Sequence, residues 1–178
     1  LANGLLAPLV MGGSAICVAE FRPAELAAWL AELEPTYLYA GPTVLSAALD
    51  ALRSSPRRAL SPLRFVRSGA ANLTSALQQE LESLLGIPVI QGYGMTETGV
   101  IAQNPLPPRE RRAGSVGMPS GLDVRIRTGE GRAADRDEPG EVVVAGPTIT
   151  AGYENNPEAN SQAFVDGWFR TGDLGFLD

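Results

Sequence analysis

The chain reads as an α/β protein: a parallel sheet with flanking helices, followed by a small antiparallel β subdomain. Three observations predict this. Apolar stripes at helical spacing alternate with short apolar runs as far as residue 112. Glycines, prolines and capping residues punctuate the joints between them. Beyond residue 112 the period changes to two, with apolar and charged residues alternating, the mark of a sheet with one wet face.

In order, Leu5, Leu6, Leu9 and Val10 have helical spacing, and Gly12-Gly13 stops that helix. Ala15-Ile-Cys-Val-Ala19 is a continuous apolar run, predicting a strand covered on both faces. Leu1 to Ala19 carries no charge, but Pro8, Gly12-Gly13 and Ser14 interrupt it, so a buried helix feeding a buried strand is expected rather than a membrane span. Pro23 stands where a helix start tolerates proline, and Leu26, Trp29, Leu30 and Leu33 form one stripe until Pro35 forbids continuation. Thr36-Tyr-Leu-Tyr-Ala40 reads as a strand, and Gly41-Pro42 opens a helix bearing Val44, Leu45, Ala48, Leu49 and Leu52. Leu63-Arg-Phe-Val-Arg-Ser68 is the next strand. Thr74 is a candidate N-cap, Leu77, Leu81, Leu84 and Leu85 make the stripe, and Gly86 is the stop before strand Pro88-Val-Ile-Gln91. Leu122-Asp-Val-Arg-Ile-Arg127 and Glu141-Val-Val-Val-Ala145 are the later strands, with a turn at Gly129-Glu130-Gly131 and one helical turn at Pro157-Glu-Ala-Asn160 inside a loop. The natural joint is Pro105-Leu-Pro-Pro108 with the arginines after it, dividing residues 1–112 from a β-rich, distorted barrel-like part at 113–178.

Composition narrows the chemistry. With 44% hydrophobic and 19% charged residues the chain is globular rather than disordered, and 178 residues bury a core without a covalent staple. Histidine and lysine are both absent, so all 14 positive charges are arginine. That excludes a Ser-His-Asp apparatus, a Schiff base and a Walker-type lysine, and the single Cys17 excludes an intrachain disulfide and a Cys-rich zinc site. A net charge of −6 predicts no nucleic-acid partner. The clusters Arg57-Arg58 and Arg109-Glu110-Arg111-Arg112 read as solvated loops or as an anionic contact.

In parallel sheets ligands sit beyond the strand carboxyl ends, which here means Ala40-Gly41-Pro42-Thr43, Ser68-Gly69-Ala70-Ala71 and Gly92-Tyr93-Gly94-Met95-Thr96-Glu97. Gly92-Tyr-Gly-Met-Thr-Glu-Thr-Gly99 combines backbone freedom, a flat aromatic, hydroxyls and a carboxylate. It reads either as a nucleotide loop or as a Gly-rich turn with a half-buried tyrosine. Ser68-Gly69-Ala70-Ala71 offers small residues against which a planar ring, or simply a packed helix, could lie. Arg170-Thr-Gly-Asp173 puts a carboxylate on a tight turn, suited to ribose hydroxyls or to nothing beyond the turn.

Taken together, Tyr93-Gly-Met-Thr-Glu-Thr, Gly114-Ser-Val-Gly117, Gly140-Glu-Val-Val-Val-Ala-Gly-Pro147, Gly152-Tyr153 and Trp168-Phe-Arg-Thr-Gly-Asp173 resemble the adenylate-forming superfamily. That superfamily comprises the acyl- and aryl-CoA synthetases, the adenylation domains of peptide synthetases, and luciferases. The likeness runs from Asn3-Gly4 to Asp178. Gln103-Asn-Pro-Leu-Pro-Pro108, Asn155-Asn-Pro-Glu-Ala-Asn160 and Gly167-Trp168 look most like the acyl-CoA synthetase branch that includes oxalate–CoA ligases.

The resemblance implies a two-step reaction in which a carboxylic acid attacks the α-phosphate of ATP, and a thiol of CoA, or of a carrier protein's phosphopantetheine arm, then takes the acyl group. It assigns Gly69, Ala70 and Ala71 to the adenine, with Tyr93 stacking on it. Gln91, Gly92, Gly94 and Met95 fall in the nucleotide loop, Thr96 on phosphate, Glu97 on Mg²⁺ and Asp173 on the ribose. Thr96 and Glu97 are the residues closest to the chemistry. Thr98, Gly99 and Val100, with Gly41, Pro42 and Thr43, border the acid pocket. A dependence on ATP, the single free cysteine and the lack of an export signal suggest a cytoplasmic setting. The family's Ser/Thr/Gly-rich phosphate loop with its lysine, and its C-terminal domain with a catalytic lysine, have no counterpart in these 178 residues. The chain therefore resembles the middle of such an enzyme, a non-catalytic binding module being the alternative. The purified 178-residue chain is expected to show no ATP–pyrophosphate exchange above background, and measurable exchange would contradict this reading.

Overall fold

The computed structural model describes residues 2–54 and 62–178. The Arg57-Arg58 pair lies outside the described residues. The chain forms two compact units, one of residues 1–93 and 104–117, the other of residues 94–103 and 118–178.

In the first unit a helical stretch over Ala2–Leu6 continues as α1 (Ala7–Val10), and a turn at Pro23–Glu25 leads into α2 (Leu26–Leu33). Strand β1 (Tyr37–Ala40), helix α3 (Pro42–Arg53), strand β2 (Phe65–Ser68), helix α4 (Ser75–Leu85) and strand β3 (Val89–Met95) follow. β1, β2 and β3 pair in parallel, with Val66 beside both Leu38 and Val89. The parallel α/β expectation is met, and the apolar stripes of α2, α3 and α4 pack inward, except that Leu33 at the end of the α2 stripe is exposed. Leu26 and Leu30 of α2, Leu45, Ala48 and Leu49 of α3, and Leu81 of α4 bury with Leu63, Val66, Leu73 and Val89 in one core. At α4 the local chemistry agrees with the packing: Thr74 Oγ1 accepts from the Leu77 amide, and Gly86 ends the helix at φ +70°, where a side chain would be strained.

Helix α4 also fastens the start of β3. The Gln78 amide donates to the Val89 carbonyl at 2.9 Å, and the Glu82 carboxylate accepts the Val89 amide at 2.8 Å. Arg111 donates both to Glu82 and to the Val89 carbonyl. That arginine is thus engaged inside the fold rather than in a solvated loop.

Two sequence expectations for this unit are overturned. Ala15–Ala19 is not a strand, and Ile16 and Val18 are exposed. A strand needs ladder neighbours, and no described segment pairs with this one. The preceding helix is not buried either: Leu6, Leu9 and Val10 face outward, Val10 at 83% exposure. A third expectation is extended. The strand predicted at 88–91 runs on to Met95, carrying Gly92, Tyr93 and Gly94 within extended backbone rather than in a loop.

In the second unit β4 (Gly99–Gln103) pairs antiparallel with β5 (Met118–Pro119). Strands β6 (Asp123–Arg127), β7 (Gly140–Ala145), β8 (Phe164–Val165) and β9 (Trp168–Gly175) form a four-stranded sheet in the order β6-β7-β9-β8, every pairing antiparallel. Period two holds in β6, where Ile126 is buried while Asp123 and Arg125 are exposed. Phe169, Val144 and Leu122 bury in this unit, and the Arg125 guanidinium lies 4.2 Å over the Trp168 ring. The single helical turn expected at 157–160 is a longer helix, α5 (Pro157–Ala163), capped by Asn156 accepting from the Ala159 amide.

Gly140 begins β7 so close to β6 that an added Cβ would lie 2.5 Å from the Arg127 carbonyl oxygen. Because that neighbour is backbone, Gly140→Ala is expected to cost about 2 kcal/mol in denaturant unfolding. Gly129→Ala, with nothing within 4 Å of its added carbon, is the near-neutral control. Equal midpoints for the two variants would contradict this packing.

Candidate functional site

The first unit brings three of the proposed segments side by side. In the parallel register Ala40 lies beside Ser68 and Ser68 beside Gln91, so Gly41 and Gly69, the first residues after β1 and β2, stand level with Gly92, which continues within β3. Gly41 is the N-cap of α3 in extended backbone, and a Cβ there would come 3.6 Å from the Gly69 carbonyl. Pro42 opens α3 half-buried and Thr43 is exposed on it. At Gly69 an added Cβ would meet the Tyr39 hydroxyl at 2.7 Å. The next residue, Ala70, has φ +70°, an unusual conformation for a residue with a side chain, and it stands exposed with Ala71. Gln91 is buried and its amide donates to Asn72 Oδ1 at 3.4 Å, tying β3 to the residue after Ala71. Tyr93 and Gly92 are half-buried. Next to this edge the Ser68 hydroxyl is buried with no hydrogen-bond partner among the described residues, an exception to the usual pairing of buried polar groups.

The second unit holds the other half of the motif. Gly94 passes the far side of its turn so closely that a Cβ would fall 2.1 Å from the Gly99 carbonyl oxygen. No side chain fits there. The Met95 carbonyl accepts the Thr98 amide at 3.3 Å, closing a turn over Thr96, Glu97 and Thr98. Thr96 is exposed, Glu97 half-buried and Thr98 wholly buried, its hydroxyl donating to the Gly99 carbonyl at 3.1 Å. Gly99 itself is at φ +72° and Val100 follows half-buried at the start of β4.

A second segment grips this turn. The Thr150 amide donates to the Glu97 carbonyl at 2.7 Å, the Thr148 hydroxyl donates to the Thr98 carbonyl at 2.8 Å, and the Tyr153 hydroxyl donates to Glu97 Oε1 at 3.0 Å. The carboxylate that accepts this hydrogen bond favours the protonated phenol and pushes the Tyr153 pKa above its ordinary value. The Gly152-Tyr153 motif was visible in the sequence, but nothing local connects residue 153 to residue 97. Thr148 and Thr150 carried no signal at all.

Asp173 is placed differently from expectation. It sits inside β9 and not on a tight turn. Arg170 pairs with Val143 and Leu174 with Glu141, so Thr171, Gly172 and Asp173 together face Val142 in a bulge. Gly172 takes φ +76°, the Thr171 hydroxyl donates to the Val142 carbonyl at 2.8 Å, and the Asp173 amide donates to Thr171 Oγ1 at 3.1 Å. Beside the bulge the Arg170 guanidinium meets both Glu141 carboxylate oxygens, its Nε at 3.1 and 2.9 Å. The bulge leaves the Asp173 side chain exposed.

Among the described residues no group of three or more His, Cys, Asp or Glu side chains could cage a metal. Glu97 presents one half-buried carboxylate beside the exposed Thr96 hydroxyl. One carboxylate is the donor set that suits Mg²⁺ carried in on phosphate oxygens, since that ion keeps waters and substrate ligands and needs few protein ones. The residues fit the ion in that form.

The chain belongs to the AMP-binding enzyme family, whose model matches residues 1–154. It is 38% identical over 182 residues to an oxalate–CoA ligase of Arabidopsis thaliana, an alignment covering 100% of this chain and 35% of that protein. A sulfoacetate–CoA ligase of Cupriavidus necator is also 38% identical, over 99% of this chain and 35% of its own. Among solved structures, the anthranilate CoA ligase AuaEII in complex with anthranoyl-AMP superposes with a TM-score of 0.86 at 29% identity, covering 99% of this chain and 34% of that one. An O-succinylbenzoate coenzyme A synthetase of Bacillus subtilis, in complex with ATP and magnesium ion, gives 0.81 at 28% identity over 97% of this chain and 36% of its own. The chain thus spans about a third of the length of the relatives it matches. No helix of the described residues is long and apolar enough to cross a membrane.

The Gly94–Gly99 approach has a direct consequence. Gly94→Ala is expected to destabilise by more than about 2 kcal/mol because backbone must move, whereas Gly99→Ala, with open space around it, costs only the roughly 1–2 kcal/mol of a left-handed dihedral. Denaturant titration of both variants checks the order, and a reversed order would contradict the geometry.

Proposed function

We propose that this chain is a segment of an AMP-forming acid–thiol ligase, one that makes an acyl-adenylate from a carboxylic acid and ATP and passes the acyl group to CoA. The observation that carries the reading is the braced turn at Thr96-Glu97-Thr98, which presents a hydroxyl and a carboxylate immediately beyond the Gly92-Tyr93-Gly94 stretch. In this proposal residues 1–112 serve nucleotide and acid binding and residues 113–178 form the β-rich part. The setting is the cytoplasm, where ATP is available.

Each assigned residue has a physical role it can perform. Gly69, Ala70 and Ala71 line the adenine, because small residues and the left-handed backbone at Ala70 let a flat ring approach main-chain groups. Tyr93 stacks on that ring, and Gln91, Gly92, Gly94 and Met95 shape the strand that carries it. Asp173, lifted by the bulge in β9, accepts from the ribose hydroxyls. Thr96 donates to phosphate, and Glu97 holds Mg²⁺. Bound there, the ion would neutralise phosphate charge in the adenylation step. Gly41, Pro42 and Thr43, with Thr98, Gly99 and Val100, border the acid. No protein nucleophile is called for, so catalysis of this kind rests on positioning and on electrostatic stabilisation.

In the ligase bearing this segment, Tyr93→Ala is expected to weaken ATP binding by roughly 5- to 150-fold, the worth of one stacked base. Glu97→Ala is expected to abolish Mg²⁺-dependent adenylation in an ATP–pyrophosphate exchange assay. Unchanged ATP affinity in the first variant, or full exchange in the second, would remove that residue from its assigned role.

A further inference from the structure

We infer that Tyr153 is a positioning residue for the Glu97 carboxylate, holding one of its oxygens so that the other is presented to the phosphate-bound cation. The inference rests on the proposed role of Glu97 and goes beyond it by naming what aims that carboxylate. Among the described residues the Tyr153 hydroxyl is the carboxylate's hydrogen-bond partner, and it takes Oε1 at 3.0 Å, leaving Oε2 for another ligand.

The phenol is itself held in place. The Tyr153 amide donates to Asn160 Oδ1 at 2.7 Å, and Asn160 Nδ2 donates back to the Tyr153 carbonyl at 2.9 Å, so one side-chain amide of α5 clasps the backbone of residue 153 from both sides. The adjoining Gly152 takes φ +141°, and a Cβ there would meet that same amide at 2.9 Å. Thr150 completes the brace. Its amide holds the Glu97 carbonyl at 2.7 Å, and its hydroxyl accepts the Gly152 amide at 3.4 Å. Both the main chain and the side chain of Glu97 are thereby referred to one segment, 148–153. A carboxylate on a turn is otherwise free to rotate, and fixing it before the ligand arrives reduces the ordering cost of binding. Partners of this outer kind are commonly worth 10- to 100-fold in metal affinity. The exposure of Tyr153 sets the expectation at the lower end.

The test is a titration of Mn²⁺ into the full-length ligase saturated with the non-cleavable analogue α,β-methylene-ATP, read by calorimetry and so independent of turnover. Tyr153→Phe, which removes only the hydroxyl, is expected to weaken Mn²⁺ binding about tenfold while the affinity for the metal-free analogue and the thermal midpoint stay as in the parent. Asn160→Ala, which loosens the backbone clasp without touching the phenol, is expected to shift the same constant in the same direction, and it decides the matter if Tyr153→Phe folds poorly. Glu97→Ala is the reference. If it abolishes the Mn²⁺ dependence while Tyr153→Phe and Asn160→Ala bind Mn²⁺ as the parent does, the positioning role is overturned and the role of Glu97 stands. If Glu97→Ala also binds Mn²⁺ normally, the reading of Glu97 falls and the inference with it.

Discussion

The turn from β3 to β4 depends on a backbone contact that only glycine permits. Gly94 and the carbonyl of Gly99 approach so closely that any side chain at residue 94 would occupy the space of that oxygen. This closes the reversal between Met95 and Thr98, buries Thr98, and leaves Thr96 and Glu97 at the apex. Such a sharp reversal leaves carbonyl groups that need donors, and Thr148 and Thr150 supply them. The carboxylate at the apex finds its donor in Tyr153. A steric constraint thus generates a hydrogen-bonding requirement, and meeting it leaves an acidic side chain oriented rather than mobile.

The first unit solves a related problem with different means. Two parallel strands end at glycines and the third carries a glycine level with them, so the backbone there is bare: Gly41 and Gly69 after β1 and β2, Gly92 within β3, then Ala70 in a left-handed conformation. Behind this edge the fold is stiff. Gln78, Glu82 and Arg111 hold both backbone groups of Val89, and the leucines of α2, α3 and α4 pack into one core with Val66 and Val89. A bare sheet edge on a braced base suits recognition of a flat, polar ligand by main-chain groups.

Much of this was legible from residue patterns because local and tertiary preferences coincide. In α4 the cap at Thr74, the leucine stripe and the stop at Gly86 all demand the same helix, and the alternation in β6 demands one buried face. Legibility failed where the deciding partner is remote or missing. Ala15–Ala19 has strand composition, yet no described segment offers it a ladder. Asp173 looked like a turn residue because Thr-Gly-Asp is turn chemistry, but register against Val142 turns those residues into a bulge within a strand. β4 escaped notice because Gly99 and a short apolar run carry no helix or hairpin signal of their own. Tyr153 and Glu97 are 56 residues apart, and only the folded chain shows that one serves the other.

The central claim is that this braced turn presents Glu97 to a divalent cation travelling with the nucleotide. It is tested most directly by a crystal structure of the full-length protein bearing this segment, soaked with Mn²⁺ and α,β-methylene-ATP, with anomalous scattering used to locate the metal. The account places an anomalous peak at coordinating distance from a Glu97 carboxylate oxygen, with the Tyr153 hydroxyl still on the other. A metal ligated by the triphosphate alone, with Glu97 turned away from it, would contradict the account.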